Sequence, residues 1–80
     1  MNTPIGAVRN PPEEELIARA TETWNRICRR NGWQPQQPCR HSCAFDPQLS
    51  RVVLRNVNGE LASFDFIPTT NRLRYIEPQA

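Results

Sequence analysis

The sequence predicts an α+β fold, with one N-terminal helix packed on a three- to four-stranded antiparallel meander sheet. Apolar residues first recur at helical spacing and then, from Arg51 to Glu77, alternate with polar residues as in strands. An Asn58-Gly59 pair interrupts this alternation where a hairpin turn is expected. Helix and sheet therefore follow each other along the chain.

The length of 80 residues predicts one domain, residues 11–80, preceded by an arm of residues 1–10. A core this small leaves little room for an active-site cavity, so we expect a binding surface, no enzyme and no cofactor. The longest aliphatic runs are three residues and no secretory signal pattern opens the chain, which predicts a cytoplasmic protein without a membrane span. Three cysteines, an odd count, favour reduced thiols.

The predicted helix has clear start signals. Asn10 is a suitable N-cap and Pro11 suits the first helical position. Glu13 and the two glutamates after it place negative charge at the positive end of the helix dipole. The apolar stripe that follows consists of Leu16, Ile17, Ala20, Trp24, Ile27 and Cys28.

The end of the helix is predicted at Gly32, which fits the left-handed position of a Schellman motif. Trp33 then falls where that motif returns an apolar residue to the last helical turn. Residues Gln34 to Pro38 contain two prolines and predict an extended connector to the sheet.

The parity of the apolar residues sets the strand register. Val52, Leu54, Ala62, Phe64 and Phe66 are all even-numbered, and they share one face only if the loop between the two strands is odd in length. A three-residue loop, 57–59, pairs Leu54 with Ala62 and Asn56 with Glu60, with Gly59 in a left-handed position. The same register sets Arg51 opposite Asp65.

Two further strands extend this pairing. A four-residue turn at 68–71 sets Phe66 opposite Leu73. A segment from Cys43 to Asp46 forms a fourth strand if a four-residue loop sets Phe45 opposite Val52. The predicted core therefore has Cys43, Phe45, Val52, Leu54, Ala62, Phe64, Phe66, Leu73 and Tyr75 facing Leu16, Ala20, Trp24 and Ile27.

The candidate site is the sheet face opposite the helix. All ten basic residues are arginine, against eight acids, and arginine favours bidentate contacts. The register turns four of them to this face with one carboxylate, Asp65, together with Ser63, Leu61 and other aliphatic residues. The predicted partner-binding residues are Arg51, Val53, Arg55, Ile67, Arg72, Arg74 and Ile76.

Several interpretations of this face remain open. A protein partner, or a second copy of the chain, suits its mixture of guanidinium and aliphatic groups. Nucleic acid is the alternative, but a net charge of +2 is low and the sheet aromatics face the helix. The arm, through Ile5 and Val8, is a third possible cover, and a mixed face that is simply exposed to solvent is a fourth interpretation.

A zinc site is a second alternative function. Cys28, Cys39, His41 and Cys43 have the chemistry of zinc ligands. If extended, Cys39 and Cys43 lie about 13 Å apart, so the segment must curl to bind one ion. The stronger expectation is that the three cysteines are packed or exposed thiols and that no metal is bound.

Overall fold

One α-helix, one short 3₁₀ turn and four strands make up the protein in a computed structural model that describes residues 10–34 and 36–78. They are α1 (Glu13–Asn31), a 3₁₀ turn (Arg40–Ser42), β1 (Ala44–Asp46), β2 (Arg51–Asn56), β3 (Gly59–Ile67) and β4 (Arg72–Ile76). The strands form one antiparallel sheet in the order β1-β2-β3-β4, and α1 packs against it. The predicted α+β fold is confirmed, while the predicted arm falls almost wholly outside the described residues.

The predicted start of the helix is wrong by two residues. Helix α1 begins at Glu13, after Pro12, and no side chain caps it. A residue that precedes proline disfavours the helical region, so Pro11 stays outside the helix because Pro12 follows it. Asn10 is therefore too far away to cap the first turn.

The predicted end of the helix is confirmed. Gly32 has φ +70, and its N–H donates to the Arg29 carbonyl at 3.3 Å. The Trp33 N–H donates to the Cys28 carbonyl at 2.8 Å, which completes a Schellman motif. Beyond it, the described residues of the connector form neither helix nor strand. Within the described ranges, no helix combines the length and the apolar character that a membrane crossing requires.

The predicted strand register is confirmed except at one hairpin tip. Arg51 lies opposite Asp65, Leu54 opposite Ala62 and Phe66 opposite Leu73. At the tip, however, Asn56 pairs with Gly59 rather than with Glu60.

A shorter turn accounts for this difference. Asn56 Oδ1 accepts the Asn58 N–H at 2.8 Å, which closes a two-residue turn over 57–58. Gly59, at φ +122, then begins β3, and an extra residue in β3 forms a β-bulge beside Leu54 and Arg55. The extra residue that keeps the apolar side chains of β2 and β3 on one face therefore lies in β3 and not in the loop.

The fourth strand is also confirmed. Phe45 lies opposite Val52 in β1, although the strand begins at Ala44 and Cys43 stands just before it. The buried core is Leu16, Ile17, Ala20, Trp24, Cys28, Cys43, Val52, Leu54, Ala62, Phe64 and Phe66, with Ile27, Phe45, Leu61, Leu73 and Tyr75 partly buried against it. The predicted core is thus confirmed residue by residue.

Candidate interaction surface

The seven predicted partner-binding residues lie together on the sheet face opposite α1, which we call the outer face. They are Arg51, Val53, Arg55, Ile67, Arg72, Arg74 and Ile76, and strand alternation puts them on the side away from the core. The connector lies on the helix side, because Trp24 Nε1 donates to the Gln36 carbonyl at 3.3 Å. Among the described residues, helix and connector therefore leave the outer face open.

Asp65 is the charged centre of the outer face. Its Oδ1 lies 3.3 Å from Arg51 Nε, and its Oδ2 lies 3.5 Å from Arg74 Nη2. Three neighbouring strands thus contribute one residue each to a row of two guanidiniums around one carboxylate. The Arg74 side chain keeps 72% of its surface exposed, so these pairs hold the row in place more than they stabilise the fold.

Two carboxylates that the sequence analysis did not assign also belong to this face. Glu60 lies opposite Arg55, because the bulge moves it from the predicted inner register. Asp46 lies opposite Arg51, a placement that the predicted β1 register already implied. The predicted excess of four arginines over one carboxylate is therefore wrong, and the face carries both signs of charge in nearly equal number.

Both carboxylates are held by neighbouring groups. Glu60 Oε2 accepts the Ser63 hydroxyl at 3.0 Å. Asp46 Oδ1 accepts the N–H of Gln48 at 2.9 Å and closes the turn between β1 and β2. These two carboxylates are thus held in position by local hydrogen bonds as well as by the strands.

The aliphatic part of the face is smaller than predicted. Val53, Ile67 and Ile76 lie half-buried on it, as their parity requires. Leu61 instead packs against the core, because the bulge interrupts the alternation of side chains there.

The residues of the zinc alternative do not form a metal centre. The 3₁₀ turn curls the segment, and Cys43 Sγ donates to the Cys39 carbonyl at 3.3 Å. Cys28 lies fully buried in the core, where burial raises the pKa of its thiol. Throughout residues 10–34 and 36–78, no three His, Cys, Asp or Glu side chains come together as a metal site. All three cysteines are free thiols.

No family model matches this chain, no curated protein matches it, and no solved structure matches its fold. The outer face must therefore be interpreted from its own chemistry.

Proposed function

We propose that this chain is a small non-enzymatic interaction module of the cytoplasm that binds a protein partner through its outer face. An adaptor, assembly or regulatory role would use such a surface. The observation that carries the proposal is the open sheet face on which guanidiniums, carboxylates and half-buried aliphatic side chains alternate. Three free thiols support a reducing compartment.

The composition of the outer face supports a protein partner. Arginine is enriched at protein interfaces, where its planar fork binds carboxylates and its stem covers apolar surface. Val53 and Ile76 supply the apolar contacts, while the row around Asp65 supplies directional ones. A second copy of the chain belongs to the same class of partner.

Nucleic acid has less support as a partner. Glu60, Asp46 and Asp65 offset much of the positive charge that phosphate binding would use. Phe64 and Phe66 are buried on the helix side and offer no stacking platform for bases. The zinc alternative has no cluster of ligands to support it among the described residues.

Affinity capture with two matched variants tests the proposal. Arg55→Glu combined with Val53→Thr alters the outer face on β2 only. We expect this variant to lose a partner that the unaltered protein recovers, because both its charge and its apolar contacts change. Arg29→Glu is the control, since it makes the same charge change on the exposed surface of α1.

Captured proteins are identified by mass spectrometry, with and without nuclease treatment. Circular dichroism must show that both variants keep the fold. Equal recovery by all three proteins would reject the outer face as the binding site. Loss of the partner after nuclease treatment would favour the nucleic-acid alternative.

A further inference from the structure

The two edges of the sheet differ in how their backbone groups are satisfied. An edge strand presents one row of N–H and C=O groups to a further strand. Strand β1 is three residues long, and its Phe45 N–H donates to Glu13 Oε2 at 2.9 Å. Strand β4 is five residues long and forms the opposite edge.

A hydrogen bond between β3 and β2 shows which backbone groups of β4 point toward β3 and which point away from the sheet. The Phe66 N–H donates to the Ser50 carbonyl at 2.8 Å, toward β2. Because backbone groups alternate in direction along a strand, Asp65 and Ile67 direct theirs toward β4. Their partners Arg74 and Arg72 are thus hydrogen-bonded to β3.

The N–H and C=O groups of Leu73 and Tyr75 consequently point away from the sheet. In the part of the chain that the structure describes, no helix, loop or side chain donates to them or accepts from them. Both side chains lie half-buried against the core, so apolar residues of an added strand would extend the inner face of the sheet.

Two grooves follow this edge along the helix. Arg19, Thr23, Arg26, Arg72 and Leu73 line the first, together with one acid, Glu22. Ile27, Arg30, Trp33 and Tyr75 line the second, also with one acid, Glu77. The floor beside β4 is thus partly apolar, and arginines outnumber acids around it.

We propose that β4 accepts an extended acidic segment of another protein as a fifth strand. Apolar residues of that segment would lie beside Leu73 and Tyr75 on the helix side, and its acidic residues beside Arg72 and Arg74 on the outer side. The backbone groups of β4 would form the hydrogen bonds to the added strand, and the arginines would favour an acidic segment over others.

Charge disfavours the two occupants that this chain itself offers. Residues 1–9 carry Arg9 and no acid, so the arm would bring positive charge to a positive edge. A second copy pairing antiparallel through β4 would set arginine opposite arginine in the registers centred on Leu73 or Arg74, and like charges directly opposite are destabilising. This edge site shares Arg72 and Arg74 with the outer face, but its pairing uses the outward backbone groups of Leu73 and Tyr75, which the outer face does not use, so either site can exist without the other.

A fluorescent peptide that alternates glutamate with valine is the probe. We expect it to bind the unaltered protein in a fluorescence anisotropy titration. Arg72→Glu with Arg74→Glu is expected to weaken binding about tenfold or more, because its acidic side chains would repel the peptide. Arg29→Glu with Leu49→Glu and Val57→Glu makes the same charge change at exposed positions away from the edge and from the outer face, and it is expected to weaken binding by no more than about threefold.

Amide hydrogen exchange locates the peptide. Binding is expected to slow exchange at Leu73 and Tyr75, whose N–H groups would become hydrogen-bonded. The proposal would be overturned by equal binding of a peptide that has the same composition arranged in two blocks, or by an equal effect of the edge variant and the control variant. Slow exchange at Leu73 and Tyr75 before peptide is added would mean that the arm or a second copy already covers the edge, and would overturn it too.

The two proposals fail separately. If the variant at Val53 and Arg55 still captures the partner and the peptide binds β4, the outer-face proposal is rejected and the edge proposal is supported. If the peptide does not bind and those changes abolish capture of the partner, the edge proposal is rejected and the outer-face proposal is supported.

Discussion

Glu13 Oε2 accepts the backbone N–H of Phe45 at 2.9 Å and so ties the first turn of α1 to the outer edge of β1. Arg40 lies on the 3₁₀ turn just before that strand, and its Nη2 is 3.9 Å from the other carboxylate oxygen of Glu13. From the sequence, this glutamate was expected only to stabilise the helix dipole. In the fold it also accepts a hydrogen bond from the outward backbone N–H of an edge strand.

Replacing Glu13 should therefore destabilise the fold more than replacing its neighbour. We expect Glu13→Ala to lower the free energy of unfolding by about 1 kcal/mol, the contribution of a partly exposed charge-assisted hydrogen bond. Glu15→Ala is the control, because Glu15 shares the first helical turn but, among the described residues, forms an ion pair with Arg19 alone, at 3.8 Å. Urea unfolding measures both, and equal losses would assign Glu13 to the dipole alone.

The pH dependence of stability should reveal the contact between Glu14 and Arg40. The Arg40 guanidinium donates through Nε at 3.0 Å and again through Nη2, and it holds the pKa of the Glu14 carboxyl below its ordinary 4.5. A pKa that folding lowers stabilises the fold above the unfolded value, and that stabilisation is lost as pH falls through the folded value.

We therefore expect the urea midpoint to fall as pH drops from about 5 to about 3, and to fall less in Arg40→Gln. Arg29→Gln is the control, since it removes the same charge from a residue without a described carboxylate partner. The same pH slope in Arg40→Gln as in the unaltered protein would contradict this assignment.

Leu54 is a fully buried residue of the core, where β2 packs beneath α1. We expect Leu54→Ala to lower the free energy of unfolding by about 3 kcal/mol, from lost apolar burial and the cavity left behind. Leu49→Ala makes the same change at a side chain that is 59% exposed, and it should cost less than about 0.5 kcal/mol. Similar losses at the two positions would contradict the packing described.

Gly59 and Gly32 both have positive φ, at +122 and +70, and no atom lies within 4 Å of an added Cβ at either position. Any cost of a side chain is therefore conformational. We expect Gly59→Asn to destabilise by about 1–3 kcal/mol. Gly32→Asn should cost less, because asparagine tolerates the left-handed region. Thermal unfolding compares them, and a larger loss at Gly32 would contradict the turn geometry.

The three thiols should react at different rates with a thiol reagent in the folded protein. Cys39 is half-buried, whereas Cys28 and Cys43 are buried. Burial also raises the pKa of the Cys28 thiol and so lowers its thiolate fraction. We expect Cys39 to be labelled first and Cys28 only as the protein unfolds. Mass spectrometry of digested samples assigns each label, and early modification of Cys28 would contradict its burial.

The candidate outer face was largely predictable, because strand parity depends only on spacing and the burial of one face. Arg51, Arg55, Arg72 and Arg74 all lie where parity puts them. Its charge balance was predictable only in part. The predicted β1 register already implied Asp46 on this face, whereas the side on which Glu60 lies depends on the bulge, whose position is set by the turn at Asn56.

Local patterns along the chain determined the helix end at Gly32, four antiparallel strands and the residues of the core, since each depends on contacts between near neighbours or on alternation. Only the tertiary structure decided how distant groups meet: Glu13 with the Phe45 N–H, Arg40 with Glu14, and a β4 edge without a described partner. Those contacts depend on how α1 is placed over the sheet, and the spacing of residues along one element does not specify that placement.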